Sequence, residues 1–294
     1  MAASDGGPAK ALRDSLSLVK FSHSIFALPF ALQGAWLAAG GLPSFGVLGI
    51  VVLCAVAART AAMAFNRLVD RRIDAENPRT AGRELPAGVM RPWQAGALVL
   101  VSSAVFLLGA GLLGPLCLAL APAVLAVLLG YSYVKRFWSG AHFVLGLALA
   151  LAPLGAWLAV RGAFDAPIAP VLWLAGGVLT WVAGFDLIYA CQDAGFDRGA
   201  GLHSIPARLG VGRALVFSSA LHIVAVLCFL AQGLAADLGA PYWAALCLAA
   251  ALLVWEHSIV SPGDLSRVDV AFFTLNGWVG VGLFVGLATD FALG

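Results

Sequence analysis

Apolar runs of about 20 residues fill the chain, at 18–39, 45–66, 95–113, 115–134, 142–160, 169–190, 212–234, 241–259 and 269–289. Each is long enough to cross the roughly 30 Å of hydrocarbon in a bilayer. None alternates polar and apolar positions as a barrel strand must, and backbone groups in lipid have to be satisfied within the segment, so the runs predict helices. The expectation is an all-α membrane protein of about nine transmembrane helices. No Ser- or Pro-rich linker interrupts the runs, which predicts a single membrane domain over 1–294, with 1–17 as a short N-terminal segment. Gly and Ala recur through the runs and would let helices approach closely.

Charge is informative through its placement. The N-terminus holds Lys10, Arg13 and Lys20, and the stretch after the second run holds Arg67, Arg71, Arg72, Arg79, Arg83 and Arg91. Lys135, Arg136, Arg198, Arg208, Arg213 and Arg267 fall in later loops on the same side, against Arg161 alone on the other. The positive-inside rule then puts the N-terminus and every basic loop in the cytoplasm and the C-terminus on the far side, which is self-consistent for an odd number of spans. The first run is too long for a signal-peptide core and reads as a spanning helix.

Composition agrees: 62% of residues are hydrophobic and 11% charged, against about 45–50% and about 25% in soluble domains. The lipid bilayer is therefore the expected surroundings. A net charge of +2 without a Lys/Arg tract gives no support to a nucleic-acid partner. The five cysteines lack metal or redox spacing and read as small buried hydrophobes.

Two acidic clusters carry the chemistry. The first, Asn66-Arg67-Leu68-Val69-Asp70-Arg71-Arg72-Ile73-Asp74, spaces Asn66, Asp70 and Asp74 by four. That keeps them on one helix face, drifting about 40° and rising about 6 Å per step. The second runs from Asp186 to Asp197 and includes Tyr189 and Asp193; a continuing helix would put Asp193 and Asp197 on one face, with Asp186 about two turns back. Acids at the edge of a membrane are functional candidates, because burying them is unfavourable. Carboxylate pairs suit Mg²⁺, which binds through one or two carboxylates and leaves positions for water and phosphate. Two facing clusters would clamp a diphosphate through metal bridges. Each could instead be a solvated helix end paired with its own arginines.

Cations stand where a diphosphate would need them: Lys135, Arg136, Arg79, Arg83 and Arg208. They would steady the charge that grows as a carbon–oxygen bond breaks, although topology signals would look the same. Tyr131 and Tyr189 could shield an allylic cation. Trp93 and Trp138 read as interface anchors. His23, entering the first run from the cytoplasmic side, is a candidate contact for an acidic substrate, with a satisfied interface histidine as the blander reading. Arg59 is the exception to otherwise charge-free mid-helix regions and has no evident partner. No Ser-His-Asp triad, P-loop or dinucleotide fingerprint appears.

The chain resembles the UbiA superfamily of intramembrane aromatic prenyltransferases. The likeness rests on Asn66 to Asp74 continuing into Asn77-Pro78-Arg79-Thr80, on Tyr131-Ser132-Tyr133-Val134-Lys135-Arg136, and on Asp186 to Asp197 running into His203, Ser204 and Arg208. It implies a bundle around a central cavity that opens sideways for a prenyl tail in the lipid. Asn66, Asp70 and Asp74 would hold one Mg²⁺–diphosphate contact, and Asp193 with Asp197 the other, while Asp186 assists from deeper in its helix. Lys135, Arg136, Arg79 and Arg208 would grip the diphosphate of a polyprenyl substrate. The allylic cation so released would be attacked by an aromatic acid on the cytoplasmic side of an inner membrane. The stretches at 21–30 and 186–193 resemble the 4-hydroxybenzoate polyprenyltransferase branch, and they fit 4-hydroxybenzoate or 1,4-dihydroxy-6-naphthoate, the acceptors of ubiquinone and futalosine-route menaquinone synthesis. A haem farnesyltransferase shares the acidic motifs but lacks support from its own signature loops. The rival of another class is an ion- or proton-coupled transporter, which predicts acids near the mid-membrane and broken helices in two related halves; here the acids gather at helix ends.

Overall fold

The computed structural model describes residues 26–165 and 167–294, and those residues are helical apart from turns and one isolated bridge between Ser261 and Asp264. The long helices are α1 (Leu28–Ala39), α2 (Phe45–Glu76), α3 (Pro92–Leu113), α4 (Pro115–Val134), α5 (Ala141–Arg161) and α6 (Ala169–Ala190). After two short helices, α7 (Ala194–Gly199) and α8 (Ile205–Leu209), follow α9 (Val211–Ala235), α10 (Ala240–Ser258) and α11 (Asn276–Leu293). Among the described residues seven helical segments are long and apolar enough to span a bilayer. The nine expected spans are therefore not all met among the described residues: α1, whose described part has 12 residues, and α10, of 19 residues with Glu256 and His257 in its last turn, fall outside that set.

Prolines start α1, α3, α4, α6 and α10, where the missing N–H is harmless. The 32 residues of α2 make a rod of about 48 Å, longer than the hydrocarbon, so its last turns carry their polar residues beyond it. It stops at Asn77 because Pro78 disfavours helical geometry in the residue before it, and Asn77 is extended with ψ at 117°.

The core lies between α1, α5, α6, α9, α10 and α11, around Phe30, Trp157, Trp181, Phe229 and Tyr242, all nearly or fully buried. Close helix contact depends on glycine at several points, two of them against the backbone of the neighbouring helix in α1, α5 and α6. A Cβ on Gly34 of α1 would fall 2.3 Å from the Pro153 carbonyl oxygen of α5, and one on Gly146 of α5 would fall 2.3 Å from the Leu179 oxygen of α6. These contacts draw α1, α5 and α6 together and so set the walls of the site.

Two departures from regular helix shape the functional end. The α-helical register of α6 breaks after Ala190 into a 3-10 turn, Cys191–Asp193, before α7 begins. Val270–Leu275, ahead of α11, is π-helical and sets Phe272 against Tyr189, with ring centroids 4.3 Å apart.

Candidate active site

The end of α2, the segment joining α4 to α5, and the end of α6 converge on a polar chamber of about 200 Å³. Its wall includes Asn66, Asp70 and Asp74 from α2, Tyr131 and Lys135 around the end of α4, and Asp186, Tyr189, Asp193 and Asp197 from α6 to α7. Asn66, Asp70 and Asp74 share the wall because spacing by four repeats along one helix face.

Each α2 acid has its own set of partners. Asp70, with a side chain 3% exposed, accepts from Lys135 Nζ at 2.9 Å, Arg136 Nη2 at 3.1 Å and Asn66 Nδ2 at 3.1 Å. Asp74 accepts from Arg83 Nη1 at 2.7 Å through Oδ1, while its Oδ2 is buried without a protein partner. Asp193 is held by Arg79, whose Nε lies 2.8 Å from Oδ1 and whose Nη2 pairs with Oδ2, and by Asn77 Nδ2 at 3.0 Å. Arg79 also donates to the Tyr189 hydroxyl at 2.8 Å and covers its ring at 4.9 Å. Burial works against the charged form of Arg79, but the bonds to Asp193 and Tyr189 outweigh it and hold its pKa above the ordinary arginine value. Thr80 closes the turn beneath by donating to the Asp74 carbonyl at 3.0 Å.

Beside this chamber lies a second cavity of about 230 Å³, lined by apolar side chains of α2 to α5 such as Val51, Met63, Phe106 and Leu149. Arg59 is the one charged residue on its wall among the described residues, and its Nε is buried without a partner. Tyr131 and Leu145 line both cavities, so the polar and apolar spaces meet at those two side chains.

Similarity to known proteins shows the family. The UbiA prenyltransferase family model matches residues 27–278. A 4-hydroxybenzoate octaprenyltransferase from Aeromonas hydrophila is 30% identical over 260 residues, covering 88% of this chain and 89% of its own length. The chain belongs to the UbiA prenyltransferase family. Among solved structures, the apo structure of a UbiA homolog from Aeropyrum pernix is 36% identical, with a TM-score of 0.83, and covers 91% of this chain and 98% of that one. A UbiA homolog from Archaeoglobus fulgidus bound to DMAPP and Mg²⁺ shares the fold at 19% identity and a TM-score of 0.66, covering 92% and 99%. The protein is thus an integral membrane enzyme of a prenyltransferase family.

Not every residue singled out in the sequence lies where it was expected. Asp193 and Asp197 do not follow one α-helical face, because the 3-10 turn at Cys191–Asp193 intervenes; both still reach the chamber. Arg208 does not line the chamber: it is exposed on α8, a five-residue helix turned aside between its Ser204 cap and Gly210. Arg136 is exposed and reaches Asp70 from outside the wall. His23 and the N-terminal cations Lys10, Arg13 and Lys20 lie outside the described residues. Arg59 faces the apolar cavity, a role that charge in mid-helix signalled without naming a partner. No signal in the sequence pointed to His142, which is buried at the start of α5 with its Nδ1 2.6 Å from Asp186 Oδ2.

The donor set fits Mg²⁺. Five carboxylates line the chamber against Arg79, Arg83 and Lys135, and the buried Asp74 Oδ2 has no protein partner. Among the described residues no group of three or more His, Cys, Asp or Glu side chains gathers as a ready-made metal cage. A metal held by one or two carboxylates and completed by phosphate and water does not require such a cage.

Proposed function

We propose that this enzyme transfers a polyprenyl group from polyprenyl diphosphate to an aromatic acid, with Mg²⁺. The observation that carries the reading is the meeting of an acid- and cation-lined chamber with an apolar cavity at Tyr131 and Leu145. A prenyl diphosphate has that same division, and its reacting carbon lies at the boundary between the two parts.

Asn66, Asp70 and Asp74 would hold one Mg²⁺, and Asp193 with Asp197 another; the metal supplies Lewis-acid neutralisation of the leaving diphosphate. Lys135, Arg136 and Arg79 bind diphosphate oxygens, each exchanging a carboxylate partner for phosphate, and so stabilise charge that develops on the leaving group. Tyr131 presents its aromatic face near the allylic carbon, where positive charge appears, whereas the Tyr189 ring is covered by Arg79 and Phe272. Arg59, desolvated and with an unpartnered Nε, attracts the carboxylate of the acceptor, which favours an aromatic acid over a neutral ring. The prenyl tail extends along the apolar cavity toward lipid, and the whole chain acts as one domain. The lopsided Lys/Arg distribution supports a chamber opening to the cytoplasm and an N-terminus on that side, in the inner membrane.

The 4-hydroxybenzoate octaprenyltransferase relatives favour 4-hydroxybenzoate and ubiquinone synthesis, with 1,4-dihydroxy-6-naphthoate as the competing acceptor. The test is direct. Purified protein in detergent receives Mg²⁺, labelled polyprenyl diphosphate and, in separate reactions, 4-hydroxybenzoate, 1,4-dihydroxy-6-naphthoate or 1,4-dihydroxy-2-naphthoate. One prenylated acid, identified by mass and abolished by a chelator, supports the reading and names the acceptor. No product and no diphosphate binding would leave the acids to another task, the ion-coupled transporter first.

A further inference from the structure

We infer that His142 and Asp186 form a proton-accepting pair, in which Asp186 removes the ring proton displaced by prenylation and His142 positions it. The inference rests on the prenyltransferase reading above and deepens it.

Aromatic prenylation must dispose of one proton. When the ring attacks the allylic carbon, a carbon–carbon bond forms and the bond from that carbon to diphosphate oxygen breaks. The ring regains aromaticity only when the C–H electron pair returns to it and the proton leaves to a base. Such a base has to be a group with free lone pairs beside the reacting carbon, and it should not be pinned to a permanent cation.

The carboxylates of the chamber differ in this respect. Asp70 is engaged by Lys135 and Arg136, Asp74 by Arg83, and Asp193 by Arg79. Asp186 is instead paired with an imidazole, His142 Nδ1 to Asp186 Oδ2 at 2.6 Å. The Asp186 side chain is 23% exposed and lines the chamber, whereas His142 is 5% exposed. The second ring nitrogen, Nε2, is buried without a protein partner. An imidazole so enclosed is aimed by Asp186 alone, and has a free nitrogen only if it bears its proton on Nδ1.

Position singles out the same pair. Asp186 precedes Asp193 by seven residues, which places it about 10 Å deeper along the helix. His142 lies one turn from Leu145 on α5, and Leu145 is one of the two side chains shared by the polar and apolar cavities. The pair therefore stands near the seam where the reacting carbon is expected, whereas Asp197, eleven residues further along on α7, is engaged by the Ser204 hydroxyl. Asp186 Oδ1 takes the proton while the Nδ1–H of His142, donating to Oδ2 at 2.6 Å, holds the carboxylate in place; the proton passes to water when the product leaves. Asp186 is the catalytic residue; His142 is a positioning residue that acts through it.

The experiment uses the full-length protein in detergent with Mg²⁺, farnesyl diphosphate, and 4-hydroxybenzoate with hydrogen or deuterium beside its hydroxyl. Diphosphate release and prenylated product are measured together for the parent, Asp186→Asn, His142→Gln and His142→Leu. In the parent, product should match diphosphate released and show no isotope effect, since proton loss follows the slow step. Asp186→Asn should lower product formation by about 100-fold or more, release more diphosphate than product, and acquire a primary isotope effect. His142→Leu should do the same to a smaller degree, and His142→Gln, which keeps a donor for Asp186, should recover part of the coupling. A proportional loss of diphosphate release and product without an isotope effect would assign the pair to binding or ionisation and overturn the proposal. So would full activity in Asp186→Asn. If the parent itself prenylates no acid acceptor, it is the prenyltransferase reading that fails, and the pair falls with it.

Discussion

Replacing Asp70 by Asn removes one charge with almost no change of shape, and its consequences follow from three distances. Asp70 accepts from Lys135 at 2.9 Å, from Arg136 at 3.1 Å and from Asn66 at 3.1 Å. An amide keeps one acceptor oxygen but leaves the two cations facing each other without a countercharge. The side chains of Lys135 and Arg136 are 31% and 37% exposed, so water screens them, and the folded state should lose only about 1–2 kcal/mol rather than the 3–5 kcal/mol of a fully buried pair. The effect on catalysis should be larger. A carboxylate lost from the proposed metal site would remove charge stabilisation at the leaving group, and about 3 kcal/mol there corresponds to roughly 100-fold in rate. The assay is prenylated product against Mg²⁺ concentration, beside a thermal melt of each variant in the same detergent. Asp70→Asn should melt close to the parent, need more Mg²⁺ for half-maximal rate, and remain about 100-fold slower at saturation. An unchanged Mg²⁺ midpoint with a rate within about threefold of the parent would refute the assignment of Asp70 to the metal. Asp165→Ala, on the exposed pair with Arg161, is the control and should change neither quantity.

Three further outcomes are expected. Arg59→Leu should raise the KM for the acid acceptor by about 10-fold or more and leave the affinity for prenyl diphosphate near the parent value, measured by varying each substrate in turn. Arg79→Ala frees Asp193 and removes a diphosphate contact, so diphosphate affinity should fall by about 10-fold, read by competition with inorganic diphosphate. Gly146→Val should destabilise the bundle by about 1–3 kcal/mol or prevent its folding, because even a Cβ there would lie 2.3 Å from the Leu179 carbonyl oxygen; thermal denaturation in detergent reads the loss, and an unshifted melt would contradict the tight α5–α6 contact.

The sequence by itself determined the helices, since a backbone in lipid has to satisfy its own hydrogen bonds and runs of about 20 apolar residues leave few other solutions. It also determined that Asn66, Asp70 and Asp74 share one face, because spacing by four is set by the backbone of a single helix. What lay between helices was not legible. The 3-10 turn at Cys191–Asp193 shifts Asp193 and Asp197 off a common α-helical face, and Asp193 meets Arg79 and Asn77, more than a hundred positions earlier in the chain. His142 meets Asp186 because Gly146 and its neighbours bring α5 against α6. Arg59 acquires a role from the apolar cavity around it, and Tyr131 and Leu145 become a boundary only when two spaces form on either side of them. Local periodicity follows from hydrogen bonds a few residues apart, whereas these contacts depend on how closely whole helices pack, which small residues permit and only the assembled bundle decides.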